Sequence, residues 1–345
     1  MSDQAQGLRA LADQTRRDQT GISPCPERSA GIAASALPSL SGNIAPPDAG
    51  SSSSQATSSM ALVDGRLHAA TRPAPAPRAR VIAVTSGKGG VGKTNFTSNL
   101  SLVMAGSGQR VIAVDADLGL ANLHVVLGVT PRYHLEHVLH GERTLRETLH
   151  QAPCGLQIIA GGSGITELAN LDEQRRDAFI ASLSELDTLA DVILLDTGAG
   201  LSRNVLAFLC AVDEIIVVTT PEPTAITDAY ATIKVVTHEN PTARLMLVVN
   251  MAQSEAEAEA VASRLVRIAS QFLGIQVEFL GHIPYDPVVG RAVRKQQPFA
   301  LNQPDSAASR GIIRIALQLG YRPRNAVPPG GIRGFLTRMQ RFFAA

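Results

Sequence analysis

From Arg80 onward the chain carries short, continuously apolar, β-branched runs, each closing on polar residues or glycine. They read "RVIAVTSG" from Arg80, "RVIAVDAD" from Arg110, "DVILLDTG" from Asp191, "DEIIVVTT" from Asp213 and "RLMLVVN" from Arg244. A strand with one wet face would alternate apolar and polar residues. These runs do not alternate, so both faces must be covered, as in a parallel sheet flanked by helices. Between them lie helical patterns, including Thr94 to Met104, Asp172 to Leu189 and Glu255 to Phe272. Alternation of this kind predicts right-handed βαβ crossovers and a doubly wound, mainly parallel α/β sheet over 78–325. Ligands of such sheets sit at the carboxyl ends of the strands.

Either side of that domain the pattern changes. Residues 19–77 hold "SSSSQATSS" and "RPAPAP" and almost no aromatic or periodic apolar positions, which reads as a disordered linker. Ahead of it, 1–18 can form a short helix with Ala5, Leu8, Leu11 and Ala12 on one stripe. Too short to be stable alone, it is a frayed terminus or a docking peptide. In 326–345 the breakers Pro328, Pro329, Gly330 and Gly331 precede "IRGFLTRMQRFFAA". There Ile332, Phe335, Leu336, Met339, Phe342 and Phe343 fall at helical spacing, with Arg333, Arg338 and Arg341 outside the stripe. A core helix can carry this pattern. A terminal, arginine-bearing one beyond a Pro-Gly hinge is read as an interfacial helix that targets an anionic membrane surface.

Composition narrows the classes. At 345 residues, 45% hydrophobic and 18% charged, the chain is ordinary for a globular protein, and its net charge of +1 gives no global reason to bind nucleic acid. Cys25, Cys154 and Cys210 lie far apart without C-x-x-C spacing, which argues against a disulfide scaffold or thiolate cluster and fits a cytoplasmic setting. No apolar h-region opens the sequence and no run reaches about 18 apolar residues, so membrane contact is expected to be peripheral.

The first apolar run leads into "SGKGGVGKTNFTSNL". Gly87, Lys88, Gly89, Gly90, Val91, Gly92, Lys93 and Thr94 fit the phosphate-loop pattern, in which glycines admit polyphosphate to backbone N–H groups, a lysine neutralises it and a hydroxyl reaches magnesium. Lysine is scarce here: beyond Lys88 and Lys93 the chain has only Lys234 and Lys295. One loop lysine suffices for the pattern, so Lys88 needs its own reason. Asp115 and Asp117 end the second run and Asp196 the third, where carboxylates near Thr94 can serve Mg2+ directly or through water. Gly198 and Gly200 would let the following loop respond to a γ-phosphate.

The loop from Lys88 to Thr94 resembles the deviant Walker A loop of the MinD/ParA class of P-loop ATPases, and "DADLGLANL" and "LLDTGAG" resemble that class's two switches. The resemblance spans about Arg80 to Arg322 and implies an ATP- and Mg2+-dependent homodimer. In it, Lys88 would cross to the phosphates bound by the partner subunit, neutralising charge as the terminal phosphate leaves. It further implies that Lys93 is catalytic, that Asp117 positions the attacking water, and that Asp115, Asp196 and Thr94 serve the metal. Asn95 would border the phosphates, and Asn250, Pro284, Tyr285 and Asp286 would contact adenine. Asn95 departs from the MinD pattern, where a second threonine is common, and so does "DTGAG".

Within the class, "DQAQGLR" (Asp3 to Arg9), "DTGAGLS" (Asp196 to Ser202) and "PEPTAITDAYATIK" (Pro221 to Lys234) resemble the flagellar-number regulators of the FlhG/FleN group. That resemblance implies that Asp3, Gln4, Ala5, Leu8 and Arg9 stimulate FlhF, a signal-recognition-particle-type GTPase. It also implies restraint of a FleQ-type transcription activator, and work at the inner membrane near the cell pole. Division-site placement of the MinD type and DNA partitioning of the ParA type are the alternatives. An Fe–S scaffold of the same fold would need paired cysteines. His134, His137 and His140 drift by about 120° round a helix and are read as a solvated face. Arg291, Arg294 and Lys295 are read as an exposed basic turn.

Overall fold

The computed structural model describes residues 62–63, 66–67, 78–117, 121–161, 178–179, 181–320 and 330–344. The chain divides into 1–76 and 77–345. In the first part β1 (Leu62–Val63) and β2 (Arg66–Leu67) pair antiparallel, a short hairpin inside the expected linker. The helix expected over 1–18, with Asp3, Gln4, Ala5, Leu8 and Arg9, lies outside the described residues.

The second part is built on an eight-stranded sheet: β3 (Arg80–Ser86), β4 (Val111–Ala116), β5 (Leu149–Gln151), β6 (Gln157–Ile159), β7 (Val192–Ala199), β8 (Glu214–Thr219), β9 (Arg244–Ala252) and β10 (Val277–Pro284). The spatial order is β10-β9-β8-β3-β7-β4-β6-β5, and only the β5–β6 pair is antiparallel. The unbroken apolar runs are explained by two cores. Val81 and Ala83 of β3 enter one and Ile82 and Val84 the other, so successive side chains are buried on opposite faces. The edge strands β5 and β10 were not expected from the pattern. Facing solvent in part, β10 is only intermittently buried and carries two register irregularities, around Gly281 and Pro284.

Helix α1 (Lys93–Gly106) follows β3 and packs Phe96, Leu100, Leu102 and Met104 into the second core. Of the short helices, α2 (Leu123–Leu127) buries Leu123 and Leu127 in the second core, whereas α3 (Leu135–Leu139), α4 (Leu145–Thr148) and α5 (Leu186–Leu189) bury Leu135, Leu145 and Leu186 in the first. Of the helix expected over Asp172 to Leu189, residues 172–177 and 180 lie outside the described residues. Then come α6 (Arg203–Ala211), α7 (Pro223–Glu239), α8 (Glu255–Leu273), α9 (Pro287–Arg294), α10 (Phe299–Asn302) and α11 (Ala307–Gly320). The expectation for α8 holds to within a residue, because Ser254 accepts the Glu257 N–H at its start and left-handed Gly274 ends it.

The last helix, α12 (Gly331–Ala344), forms where the stripe predicted it, but its apolar face is not open. Ile332, Phe335, Leu336 and Met339 are buried in the first core, and Phe335 stacks on Phe208 of α6 with ring centroids 6.2 Å apart. Phe342 packs at the margin of that core, and the side chain of Phe343 lies outside the described residues. In this conformation the face expected to meet lipid is therefore covered by the chain's own domain. Polar contacts fix the helix as well. Asp187 accepts the Ile332 N–H at 2.8 Å and Asp213 accepts the Gly330 N–H at 2.9 Å. Arg338 forms an ion pair with Asp213 at 2.9 Å and donates to the Ala211 carbonyl at 2.8 Å. Gly331 is left-handed, and a Cβ there would lie 2.7 Å from Asp187 Oδ1, so this hinge needs glycine.

Candidate functional site: a nucleotide cleft with two loop lysines

The phosphate loop leaves the end of β3 and enters α1. Gly90 and Gly92 take φ of 85° and 86°, a region that side chains disfavour. No side chain caps α1 at Gly92, so its first N–H groups are left for an anion. Gly87 lies so close to the backbone of Asp228 on α7 that any Cβ would overlap it. Ser86 accepts the Gly200 N–H at 2.8 Å through its carbonyl, which ties the second switch to the base of the loop.

Register brings the carboxylates together. In the β4–β7 pair Asp115 stands opposite Asp196. Asp196 Oδ1 receives Lys93 Nζ at 3.2 Å and the Thr97 hydroxyl at 3.0 Å, with both Lys93 and Asp196 buried. Burial pushes the Asp196 carboxyl up, while Lys93, Thr94 and Thr97 act against that rise. Asp115 accepts N–H groups from Leu123 at 2.9 Å and Asp117 at 3.2 Å. Asp117 lines the cleft beside Gly198, whose Cβ would come 3.6 Å from an Asp117 carboxylate oxygen. Thr94, Asp115 and Asp196 are the oxygen donors a hard cation prefers. Among the described residues no group of three or more His, Cys, Asp and Glu can hold a metal by itself, so Mg2+ must draw further ligands from phosphates and water.

Burial raises the Asp115 carboxyl from its ordinary 3.8 to about 6, with Asp196 and Asp117 adding to the rise and the two N–H donors opposing it. Between those values the folded chain binds more protons than the unfolded one, so stability falls as pH rises through that window. The expected loss is about 3 kcal/mol in nucleotide-free protein. Urea denaturation at stepped pH measures it, and Asp115→Asn should flatten the slope. An equally steep slope in that variant would assign it to other carboxylates.

Lys88 is placed differently from Lys93. Its Nζ turns away from its own loop to Glu222 at 2.9 Å and to the Thr224 hydroxyl at 3.1 Å, at the exposed start of α7. Such exposed pairs are worth about 0–1 kcal/mol and break cheaply.

The cleft, about 860 Å³, runs from the phosphate loop past Asn250 and Met251 to Pro284, Tyr285 and Asp286, with Asn95 at its phosphate end. Every residue expected to contact adenine lines it, yet two are already engaged. The Asp286 carboxylate caps two helices, accepting Val288 N–H of α9 at 2.9 Å and Ala308 N–H of α11 at 3.3 Å. The Asn250 amide is bonded to Val91 and Met251. Tyr285 is 57% exposed at the open end. Arg291 and Arg294, read from the sequence as a surface turn, also line the cleft, because α9 folds back over it. Thr97, Glu222 and Thr224 were missed as well. The "PEPTAITDAYATIK" stretch carried the signal for the latter two, but nothing in spacing says that it meets Lys88. Of the histidines, His134, which caps the start of α3, and His137 within it stack with centroids 5.9 Å apart, outside the cleft.

A glycine cradle, a buried lysine paired to an aspartate, and Mg2+-type donors define a P-loop nucleotide hydrolase; that aspartate, Asp196, ends its apolar run, but β7 continues three residues beyond it to Ala199. Magnesium, when bound, neutralises the phosphates as charge moves to the leaving group. Comparison with known proteins narrows the class. Residues 79–245 match the family described as AAA domain, and residues 179–319 the family described as NUBPL iron-transfer P-loop NTPase. The antiactivator FleN of Pseudomonas aeruginosa is 38% identical over 260 residues, covering 75% of this chain and 93% of that protein. The flagellum site-determining protein YlxH of Helicobacter pylori is 35% identical, over 76% of this chain and 90% of its own. The cell division ATPase MinD of Pyrococcus furiosus superposes with a TM-score of 0.57 at 28% identity, over 70% of this chain and 98% of that one. MinD of Pyrococcus horikoshii, solved with Mg-ADP, gives 0.56 at 28% identity, over 70% and 96%. The chain belongs to the MinD/ParA family of P-loop ATPases.

Proposed function

We propose that this ATPase is a dimerising switch that sets flagellar number or placement. The observation that carries the reading is the position of Lys88: outside its own phosphate cradle, at the mouth of the cleft, on a weak and exposed pair with Glu222. From there it can serve a nucleotide presented by a second subunit. The names of the FleN and YlxH relatives, which cover most of this chain, favour a flagellar output over division-site placement or DNA partitioning.

In this reading ATP and Mg2+ close a two-fold sandwich of subunits, Asp117 positions water, and slow hydrolysis returns the monomer. Closure releases α12, whose apolar face then engages an anionic membrane surface at the inner membrane near the pole. Two such helices on one dimer gain effective concentration, so membrane binding follows the nucleotide. Asp3, Gln4, Ala5, Leu8 and Arg9 stimulate an FlhF-type GTPase, and the ATPase domain restrains a FleQ-type transcription activator.

GTP hydrolysis by FlhF, with and without a peptide spanning residues 1–20, tests the output. Several-fold stimulation that disappears with Gln4→Ala is the expected result. A peptide without effect would bring division-site placement forward.

A further inference from the structure

Asn250 ends the unbroken buried run of β9, before the exposed Met251, and is 8% exposed. Its side-chain amide is engaged at both ends. Nδ2 donates to the Val91 carbonyl, in the middle of the phosphate loop, at 2.7 Å. Oδ1 accepts the N–H of the next residue, Met251, at 2.9 Å. Both of those partners are special. Val91 sits between the left-handed Gly90 and Gly92, and Met251 is itself left-handed, with φ 58°, a conformation few non-glycine residues adopt. Contact with the loop is so close that a Cβ on Gly92 would overlap Asn250 Nδ2, so the fit needs glycine on one side and this amide on the other.

We propose that Asn250 is a positioning residue that braces the phosphate loop, holding the Val91 carbonyl so that the loop's N–H groups stay turned towards the phosphates. A peptide unit has one carbonyl and one N–H pointing opposite ways, so fixing the carbonyl on the outer side fixes the neighbouring donors on the inner side. The amide's capacity is not exhausted by these two bonds. It has a second N–H and a second lone pair, and can therefore meet a nucleobase while it holds the loop. One side chain then links the base end of the cleft to its phosphate end, and a base that orders Asn250 also orders the loop. This goes beyond a base contact: the brace acts on a ligand that has no base at all.

The inference rests on the cleft being the ATP site, and tripolyphosphate separates the two claims. With Mg2+ present, dissociation constants for ATP and for inorganic tripolyphosphate are measured on the full chain and on Asn250→Asp. That variant keeps the acceptor for Met251 and turns a carboxylate on the Val91 carbonyl. Both ligands are expected to weaken by about tenfold or more, in Asn250→Asp and in the uncharged Asn250→Ala alike, and ATP the more because it also loses the base contact. Loss of ATP affinity with tripolyphosphate binding intact would overturn the brace and leave a base contact only. Wild-type protein that binds neither ligand would remove the site itself. Ligand-free melting shows whether the variant folds; should the added charge prevent folding, Asn250→Ala is read with the same two ligands. A residue that only packs would lower the melting midpoint and leave tripolyphosphate affinity at the wild-type level, which would overturn the brace.

Discussion

Lys88→Ala is expected to bind ATP within about threefold of the wild type, because the pair it forfeits is exposed and worth little. Its hydrolysis is expected to fall about a hundredfold, the usual cost of one positive group aimed at charge that develops in the transition state. Two lysines five residues apart in sequence are placed in contrasting ways. Lys93 is buried on Asp196, where phosphates and metal would take over its charge, whereas Lys88 reaches Glu222 and Thr224 at the cleft mouth. Turnover per subunit in the wild type should rise with protein concentration, since in the proposed sandwich the missing charge comes from a second molecule; in the variant it should stay flat. Mixing the variant with a wild-type excess should restore part of the rate. Turnover at the wild-type level in Lys88→Ala alone would leave this lysine no part in catalysis.

The second large effect is expected at α12. Its four buried apolar side chains, at about 1.5–3 kcal/mol each, put the gross stabilisation of docking at roughly 6–12 kcal/mol, an upper range because an undocked helix regains entropy and lipid contacts. Such a helix does not leave spontaneously, so nucleotide-free wild type should show little binding to vesicles that contain anionic lipid. Asp187 and Asp213 hold the Ile332 and Gly330 N–H groups, and Asp213 also holds Arg338. Replacing both aspartates by asparagine weakens charge-assisted contacts worth about 1.5–3 kcal/mol each and leaves the apolar face of α12 intact. Vesicle binding without ATP should then rise by about tenfold to a hundredfold, as read by flotation. The arginines point the same way, because Arg338, released from Asp213, becomes available to lipid phosphate. A chain ending at residue 330 supplies the control: it should lose vesicle binding and melt earlier, with Phe208 uncovered. If that truncated chain floats with vesicles as the full one does, α12 is a structural helix and nothing more.

Much of this protein was legible without coordinates, and the parts that were share a physical cause. Continuous apolar runs imply two covered faces whatever the neighbours are, so β3, β4, β7, β8 and β9 could be read locally. The phosphate loop is equally local, since its chemistry is carried by consecutive residues. Asp115 and Asp196 were legible as carboxylates closing apolar runs, but their standing opposite one another came from the β4–β7 register, which no spacing in the chain encodes. Edge strands β5 and β10 escaped because partial exposure erases the pattern that betrays a buried strand.

What the sequence determined by itself is the sheet, the loop chemistry and the amphipathic period of the last helix. What the tertiary structure decided is which surface each of these meets. Ile332, Phe335, Leu336 and Met339 announce an apolar face, yet a hydrophobic stripe gains by leaving water for a protein groove as it does for lipid, and the attraction has no direction that could tell them apart. Only the position of Phe208 and of two aspartates, distant in sequence and brought together by the fold, shows the groove to be the partner here. The same holds for Lys88 and Asn250. Their charge and amide are written in the sequence, while Glu222 and Val91, which those groups touch, are set by how α7 and β9 pack against the loop.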